Sequence, residues 1–190
     1  MGCAGSTVET REDWEEEMMM YEKQILNLSG FKDEEMERCW TILEMDNKPF
    51  KVRTFYFGKE NRDKPTLVLT HGNMANIVSF FRLTKILSEK YRVVAFDNIG
   101  LGMNTRSTEN AQAATPESAE EWIREYITKL LAGLDIPEKF YWAAHSWGGY
   151  FSMMVGSMYP ERIESMFLIS PAGTNSYNPE TYDQYGYVSL

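Results

Sequence analysis

The stretch Phe140–Tyr150, FYWAAHSWGGY, constrains this 190-residue chain more than any other. An apolar run of β-forming residues stops at Ala144-His145-Ser146-Trp147-Gly148, and a helical pattern begins at once. A serine on so sharp a strand-to-helix turn needs small residues two before and two after it, and Ala144 and Gly148 supply them. The turn lifts Ser146 Oγ clear of a sheet, at the positive N-terminal end of a helix. That placement predicts a nucleophile for acyl chemistry.

The pattern on either side sets the fold class. Phe50–Phe57 alternates as a strand, and Thr66–Thr70, Arg92–Phe96, Phe140–Ala144 and Ser165–Ile169 are short apolar strands. Between them Val78–Lys90, Glu117–Leu134 (opened by Pro116) and Trp147–Tyr159 (closed by Pro160) carry helical apolar spacing. Thr105–Thr115 reads as a polar loop. Strands alternating with helices over short connections predict an α/β protein with a doubly wound, mostly parallel sheet. Ligands of such sheets bind beyond the carboxyl ends of the strands, where Ser146 falls.

Two other strand ends converge on that rim. Thr66–Thr70 runs into His71-Gly72-Asn73-Met74, where a glycine lets the backbone turn sharply and aim N–H groups inward. A tetrahedral oxyanion needs two donors: the N–H of Trp147, directly after the serine, and one loop N–H, for which Asn73 is the candidate. Arg92–Phe96 runs into Asp97-Asn98-Ile99-Gly100-Leu101-Gly102, a tight loop beside the site. It lacks the third glycine and the opening helix of a dinucleotide fingerprint. No metal-ligand cluster and no phosphate-cradling loop is visible, so neither a metal nor a cofactor is expected.

These motifs in this order resemble the α/β-hydrolase superfamily over residues 48–173. The order is His71-Gly72, then Asp97-x-x-Gly100-x-Gly102, the Ser146 elbow with Gly148-Gly149, Tyr159-Pro160-Glu161-Arg162, and Ser170-Pro171-Ala172-Gly173. Asn76–Arg82 (NIVSFFR) and the elbow HSWGGY are most similar to a lipid-directed subgroup. It contains lysophospholipases, N-acyl-phosphatidylethanolamine lipases and lysophosphatidic acid acyltransferases. The resemblance implies Ser146 as nucleophile, Asn73 and Trp147 as oxyanion donors, and a carboxylic ester or lipid acyl group as substrate. His71, Gly72, Ala144, His145, Gly148 and Gly149 are the supporting motif residues. Ala144 stands where the family has its first glycine, and Met74-Ala75-Asn76 replaces a glycine-rich loop. The subgroup's acyltransferase signature, a histidine followed five positions later by an aspartate, is absent: Asn76 follows His71 and Tyr150 follows His145 at that distance.

The family also places an acid after a later strand and its catalytic histidine after the last one. Both, with the lid, would lie beyond Leu190, so the C-terminal part of the fold is expected to be absent. The chain has two histidines. His145 adjoins Ser146 at a turn where neighbours point apart and is expected to pack, while His71 is expected to brace its own loop. Asp183 is an acid with no histidine to orient. Two functions stand open. One is a serine esterase or lipase whose acid and histidine come from a separate polypeptide or a longer chain. The other is a catalytically inactive, hydrolase-like subunit of an assembly. In the second, Ser165–Ile169 is an apolar open edge that a protein partner covers. The tail 174–190, with Tyr177, Tyr182, Tyr185 and Tyr187, is a further partner contact.

Charge and cysteine usage locate the chain. The net charge of −9 argues against nucleic acid as a partner. Residues 9–37 hold eleven acidic and three basic side chains, so the acidity belongs to an N-terminal extension, 1–47. Within it, Glu12–Leu28 reads as a helix with Trp14, Met18, Tyr21, Ile25 and Leu28 packed on the body. Asp33–Leu43 reads as a second helix with Asp33 as N-cap and Met36, Trp40 and Leu43 on one face. Two cysteines, Cys3 and Cys39, are too few for a disulfide framework and fit an intracellular protein. Met1-Gly2-Cys3-Ala4-Gly5-Ser6 matches the myristoylation pattern at Gly2, and Cys3 is a candidate palmitoylation site. One myristoyl chain binds membrane only marginally, with K on the order of 10⁴ M⁻¹. The acidic flank offers no polybasic second signal, so if the protein is anchored Cys3 acylation must supply it.

Overall fold

The computed structural model describes residues 11–106 and 115–174. Gly2, Cys3, Asp183, the tail from 175 onward and residues 107–114 of the polar loop lie outside them.

One sheet of six strands organises the protein: β1 (Met36–Met45), β2 (Lys48–Phe57), β3 (Thr66–Thr70), β4 (Arg92–Phe96), β5 (Phe140–His145) and β6 (Ile163–Ile169), in the order β1-β2-β4-β3-β5-β6. It is parallel from β4 through β3 and β5 to β6. It is antiparallel at β1–β2 and β2–β4. Among the described residues four α-helices flank it: α1 (Arg11–Asn27), α2 (Phe81–Ser88), α3 (Pro116–Gly133) and α4 (Trp147–Met158).

The sheet is covered on both faces, as a doubly wound fold requires. On one face Leu26 of α1 and the segment Ile77–Val78 before α2 pack on Phe55, Phe57, Leu67, Leu69, Val93 and Ala95. On the other, Tyr126 and Leu130 from α3, Leu134 just after it, and Phe151 and Val155 from α4 pack on Val52, Val68, Val94, Phe96 and Trp142. β3 and β4 are buried along their whole length, which is why Leu67–Leu69 and Val93–Phe96 are unbroken apolar runs. Thr115 caps α3 by accepting the Ser118 N–H at 3.2 Å, and Pro116 sits where no backbone donor is needed.

Three readings of the sequence need correction. Asp33–Leu43 is not a helix: Asp33–Glu35 forms one 3-10 turn and the chain then enters β1. The spacing of Met36, Trp40 and Leu43 coincides with a helical repeat, but Thr41, Leu43 and Met45 are buried while Ile42 and Glu44 are exposed, a period of two. The turn that pairs β1 with β2 is Asp46-Asn47, both at positive φ (50° and 58°), with Met45 opposite Lys48. That is the two-residue hairpin turn that asparagine and aspartate favour.

α1 also buries a different face from the expected one. Glu22 and Leu26 are buried, whereas Tyr21, Ile25 and Leu28 are 44%, 38% and 77% exposed. The helix is turned by a buried ion pair, Glu22 with Arg53 of β2, which no apolar periodicity reveals. Finally, Val78–Lys90 divides into a 3-10 turn, Ile77–Phe80, and the shorter α2.

Candidate active site

Ser146 occupies the junction of β5 and α4 with φ 52° and ψ −115°, a conformation that side-chain-bearing residues rarely adopt. Such backbone costs on the order of 1–3 kcal/mol and persists only where its surroundings over-determine it. They do so here. The Ser146 N–H donates to Ile169 O at 3.0 Å, and Ser146 O accepts from Gly149 N and Ala172 N, each at 2.9 Å. The loop after β6 thus holds the elbow from outside while α4 holds it from within.

The small residues around the serine are required by contact. A Cβ at Gly148 would stand 2.6 Å from His71 O and 2.9 Å from Thr70 O, which are backbone atoms at the end of β3. One at Gly149 would stand 2.6 Å from Pro171 Cβ. One at Gly72 would stand 2.9 Å from His145 Nδ1 and 3.0 Å from Ser146 Cβ. The His71-Gly72 loop therefore lies directly against the elbow. Ala144 is fully buried, opposite Thr70 in register. Beneath it Trp142 donates from Nε1 to Thr70 Oγ1 at 3.1 Å, tying β5 to β3.

The two oxyanion candidates sit on either side of this contact. Trp147 opens α4, where a first-turn N–H has no acceptor within the helix. Its ring stacks on Tyr150 with centroids 5.1 Å apart, which fixes the entry to the helix. Asn73 lies on the exposed crest of the loop after Gly72. Its Oδ1 accepts the Met74 N–H at 3.0 Å, which stabilises Met74 at φ 54°.

His71 is not available as a base, because both of its ring nitrogens are hydrogen-bonded. His71 is fully buried. Its Nε2 accepts the Asn98 N–H at 2.8 Å, so the ring proton is on Nδ1, which donates to Gly72 O at 2.7 Å. Burial pushes its pKa down to about 4, against the smaller opposing effect of the Gly72 bond, so it is neutral. Asn98 in turn donates from its side-chain amide to His71 O. His145 is half-buried, its ring edge-on to Phe80 at 6.3 Å and its Nδ1 beside Gly72.

Asp97, at the end of β4, escaped the sequence reading except as the head of its glycine-bearing loop. It is 1% exposed, and its Oδ1 accepts the Ile77 N–H at 2.8 Å while Oδ2 accepts the Met103 N–H at 3.2 Å. Burial pushes its pKa up to about 7, partly offset by these two amides. A cleft of about 520 Å³, lined by Arg62, Arg92, Asp135 and Lys139, opens at the amino ends of β3, β4 and β5, the opposite end from Ser146. No group of three or more metal-ligating side chains is found among the described residues.

Residues 65–188 match the family described as alpha/beta hydrolase fold. The chain belongs to the α/β-hydrolase family. It is similar to a probable 1-acylglycerol-3-phosphate O-acyltransferase of Oryza sativa subsp. japonica, 33% identical over 136 residues that cover 68% of this chain and 30% of that protein. It is also similar to the (lyso)-N-acylphosphatidylethanolamine lipase of Bos taurus, 28% identical over 123 residues that cover 65% of this chain and 35% of that one. The chain thus spans about a third of the length of these relatives. Among solved structures it shares its fold with the carboxylesterase CesB of Bacillus subtilis. That match has TM-score 0.63 and 24% identity, over 88% of this chain and 53% of that one. The α/β-hydrolase expected from the motifs is the family found, and acyltransferase and lipase members of the subgroup expected from Asn76–Arg82 and the elbow are among its relatives.

Proposed function

We propose that Ser146 is the nucleophile of an acyl-transfer site acting on a carboxylic ester or lipid acyl group. The observation that carries this is the strained backbone of Ser146 at the β5–α4 junction, wedged against the His71-Gly72 loop. The names of the relatives, an acyltransferase and a lipase of phospholipids, support a lipid substrate. In this reading Ser146 Oγ attacks the ester carbonyl carbon and its proton passes to a base. The N–H groups of Trp147 and Asn73 hold the negative oxygen, and the alcohol leaves with the proton as the carbonyl reforms. Water or a second alcohol then takes the acyl group, giving hydrolysis or acyl transfer. The base is not His71, whose nitrogens are both engaged, nor His145, whose ring is directed at Phe80 and Gly72. This reading has the acid and the histidine supplied by a separate polypeptide or by a longer chain.

A fluorophosphonate probe applied to the purified native assembly tests this. Labelling that disappears in Ser146→Ala is expected; an unlabelled wild-type protein overturns the proposal. The engagement of both ring nitrogens of His71 and the packing of His145 against Phe80 also favour a second reading, a non-catalytic subunit that keeps the elbow for its shape and docks a protein partner along β6. That reading expects no labelling and co-purification with a partner at stoichiometric ratio.

Membrane association belongs to the same proposal. No helix among the described residues is long and apolar enough to cross a membrane. Myristate on Gly2 with palmitate on Cys3 would anchor an intracellular protein at the surface where lipid substrates lie. Gly2→Ala is expected to release it into the soluble fraction, and unchanged fractionation rejects the anchor.

A further inference from the structure

We propose that Asp97 is a positioning residue for the oxyanion loop, clamping the segment 73–77 to the neighbouring loop 98–103 through its two carboxylate oxygens. This rests on the reading of Ser146 and its loop donor given above. It adds the group that holds that donor in place.

The geometry is specific. The candidate donor, Asn73, lies in a loop that leaves β3 at His71 and returns to the body at Ile77. His71 fixes the first end, through Asn98 and Gly72. Asp97 Oδ1 fixes the second by accepting the Ile77 N–H at 2.8 Å, just where the chain enters its 3-10 turn. The other oxygen accepts the Met103 N–H at 3.2 Å. Gly102 has φ 56°, and a Cβ there would collide with Asp97 Oδ2, so the Asp97-x-x-Gly100-x-Gly102 spacing is the space the carboxylate occupies. The main chain of Asp97 is fixed as well, by its N–H to Arg53 O at 3.0 Å and by its carbonyl accepting from Asn104 Nδ2 at 2.7 Å. A buried carboxylate with two amide donors on two different loops is a clamp rather than a cap.

The clamp depends on ionisation. An ionised carboxylate accepts from both amides; a protonated one carries a hydrogen on one oxygen, and that oxygen is a poor acceptor. The charged or titratable groups around it come from every packed element. His71 Nε2 from the β3 loop is 3.6 Å from Oδ1. Glu22 of α1 opposes its ionisation and Arg53 of β2 favours it. Tyr126 of α3 senses its charge. His71 is neutral in this range, so Asp97 is the group of this cluster that titrates near neutrality. The loop is therefore tighter above about pH 7 than below it.

The test compares wild type with Asp97→Asn by amide hydrogen exchange and by fluorophosphonate labelling between pH 5.5 and 8.5. Wild type is expected to show Ile77 protection, corrected for intrinsic exchange, that rises at least tenfold through about pH 7. The variant has one accepting oxygen left, so it is expected to lose protection at Ile77 or Met103 and to lose the pH step, while β3 and β5 amides are unchanged. Its Ser146 labelling rate is expected to fall about tenfold and to lose the same step. Unchanged protection at both Ile77 and Met103 in the variant, or a surviving step, overturns the proposal. If wild type is not labelled, the nucleophile reading fails and the exchange data alone decide on the clamp. Should Asp97→Asn not fold, Gly102→Ala, which displaces the carboxylate, is read in the same way.

Discussion

Glu22 of α1 grips Arg53 of β2 inside the protein. Arg53 Nη2 reaches Glu22 Oε2 at 2.6 Å and Nε reaches both oxygens at 3.1–3.2 Å, with the two side chains 2% and 5% exposed. The guanidinium also lies over the rings of Trp40 and Phe55, at 5.2 and 5.3 Å. This pair docks the acidic N-terminal helix on the sheet and turns its face, so that Tyr21, Ile25 and Leu28 are left outside.

Removing one partner of such a pair leaves a buried charge uncompensated, at a cost of about 3–5 kcal/mol. Glu22→Ala is expected to lose that much in urea unfolding. The double variant Glu22→Met, Arg53→Met replaces both charges by apolar volume and is expected to recover most of the loss. A double variant no better than Glu22→Ala would show that the ion pair itself, rather than the absence of an orphaned charge, stabilises the helix.

Two glycines of α4 should respond oppositely to the same change. At Gly148 a Cβ meets backbone atoms of Thr70 and His71, which cannot yield without moving β3. Gly148→Ala is expected to cost about 1–3 kcal/mol from overpacking. At Gly156 the nearest atom is Met166 Cε at 3.1 Å, the free end of a flexible side chain. Gly156→Ala therefore keeps the helix-propensity gain of up to about 1 kcal/mol. Thermal unfolding distinguishes them: a lower Tm for the first, an equal or higher one for the second.

From β3 onward each strand is a short apolar run with a turn signal after it, and local pattern sufficed. β1 failed because Met36, Trp40 and Leu43 satisfy a helical repeat by coincidence; the Asp46-Asn47 turn was the better signal. The packed face of α1 failed because an apolar stripe cannot announce a buried charge pair. At the site, Ser146, Gly72 and Gly148 are visible because their chemistry depends on side-chain size at fixed spacing. Asp97 is not, because its partners are backbone amides of Ile77 and Met103, and a backbone donor has no residue type to recognise.

Stability should depend on pH through His71 and Asp97 with opposite signs. The folded His71 pKa is about 4 against 6.5 unfolded, so the unfolded chain binds more protons between those values and stability rises with pH. The folded Asp97 pKa is about 7 against 3.8, so the folded chain binds more protons between those values and stability falls as pH rises. In wild type the two largely cancel from about pH 4.5 to 6.5. Relative to wild type, Asp97→Asn should gain stability as pH rises across that window and His71→Gln should lose it. Urea unfolding at several pH values reads both slopes, and parallel profiles for the two variants would refute the assignment of the two buried groups.

The outer edge of the sheet offers the last test. Among the described residues β6 pairs with β5 alone, and its residue Phe167, opposite Ala143, is 68% exposed. An apolar strand presenting unpaired backbone groups templates association with another chain. A charge at an exposed position of such a strand opposes stacking without touching the core. Phe167→Glu is expected to lower concentration-dependent self-association, read by sedimentation velocity, while changing stability by no more than about 0.5 kcal/mol, as for surface substitutions generally. The neighbouring Met166 packs toward the α3–α4 side of the core. Met166→Glu should therefore cost several times more stability, which separates an edge effect from unfolding. If Phe167→Glu left association unchanged in a folded protein, β6 would not be the surface through which this chain meets others.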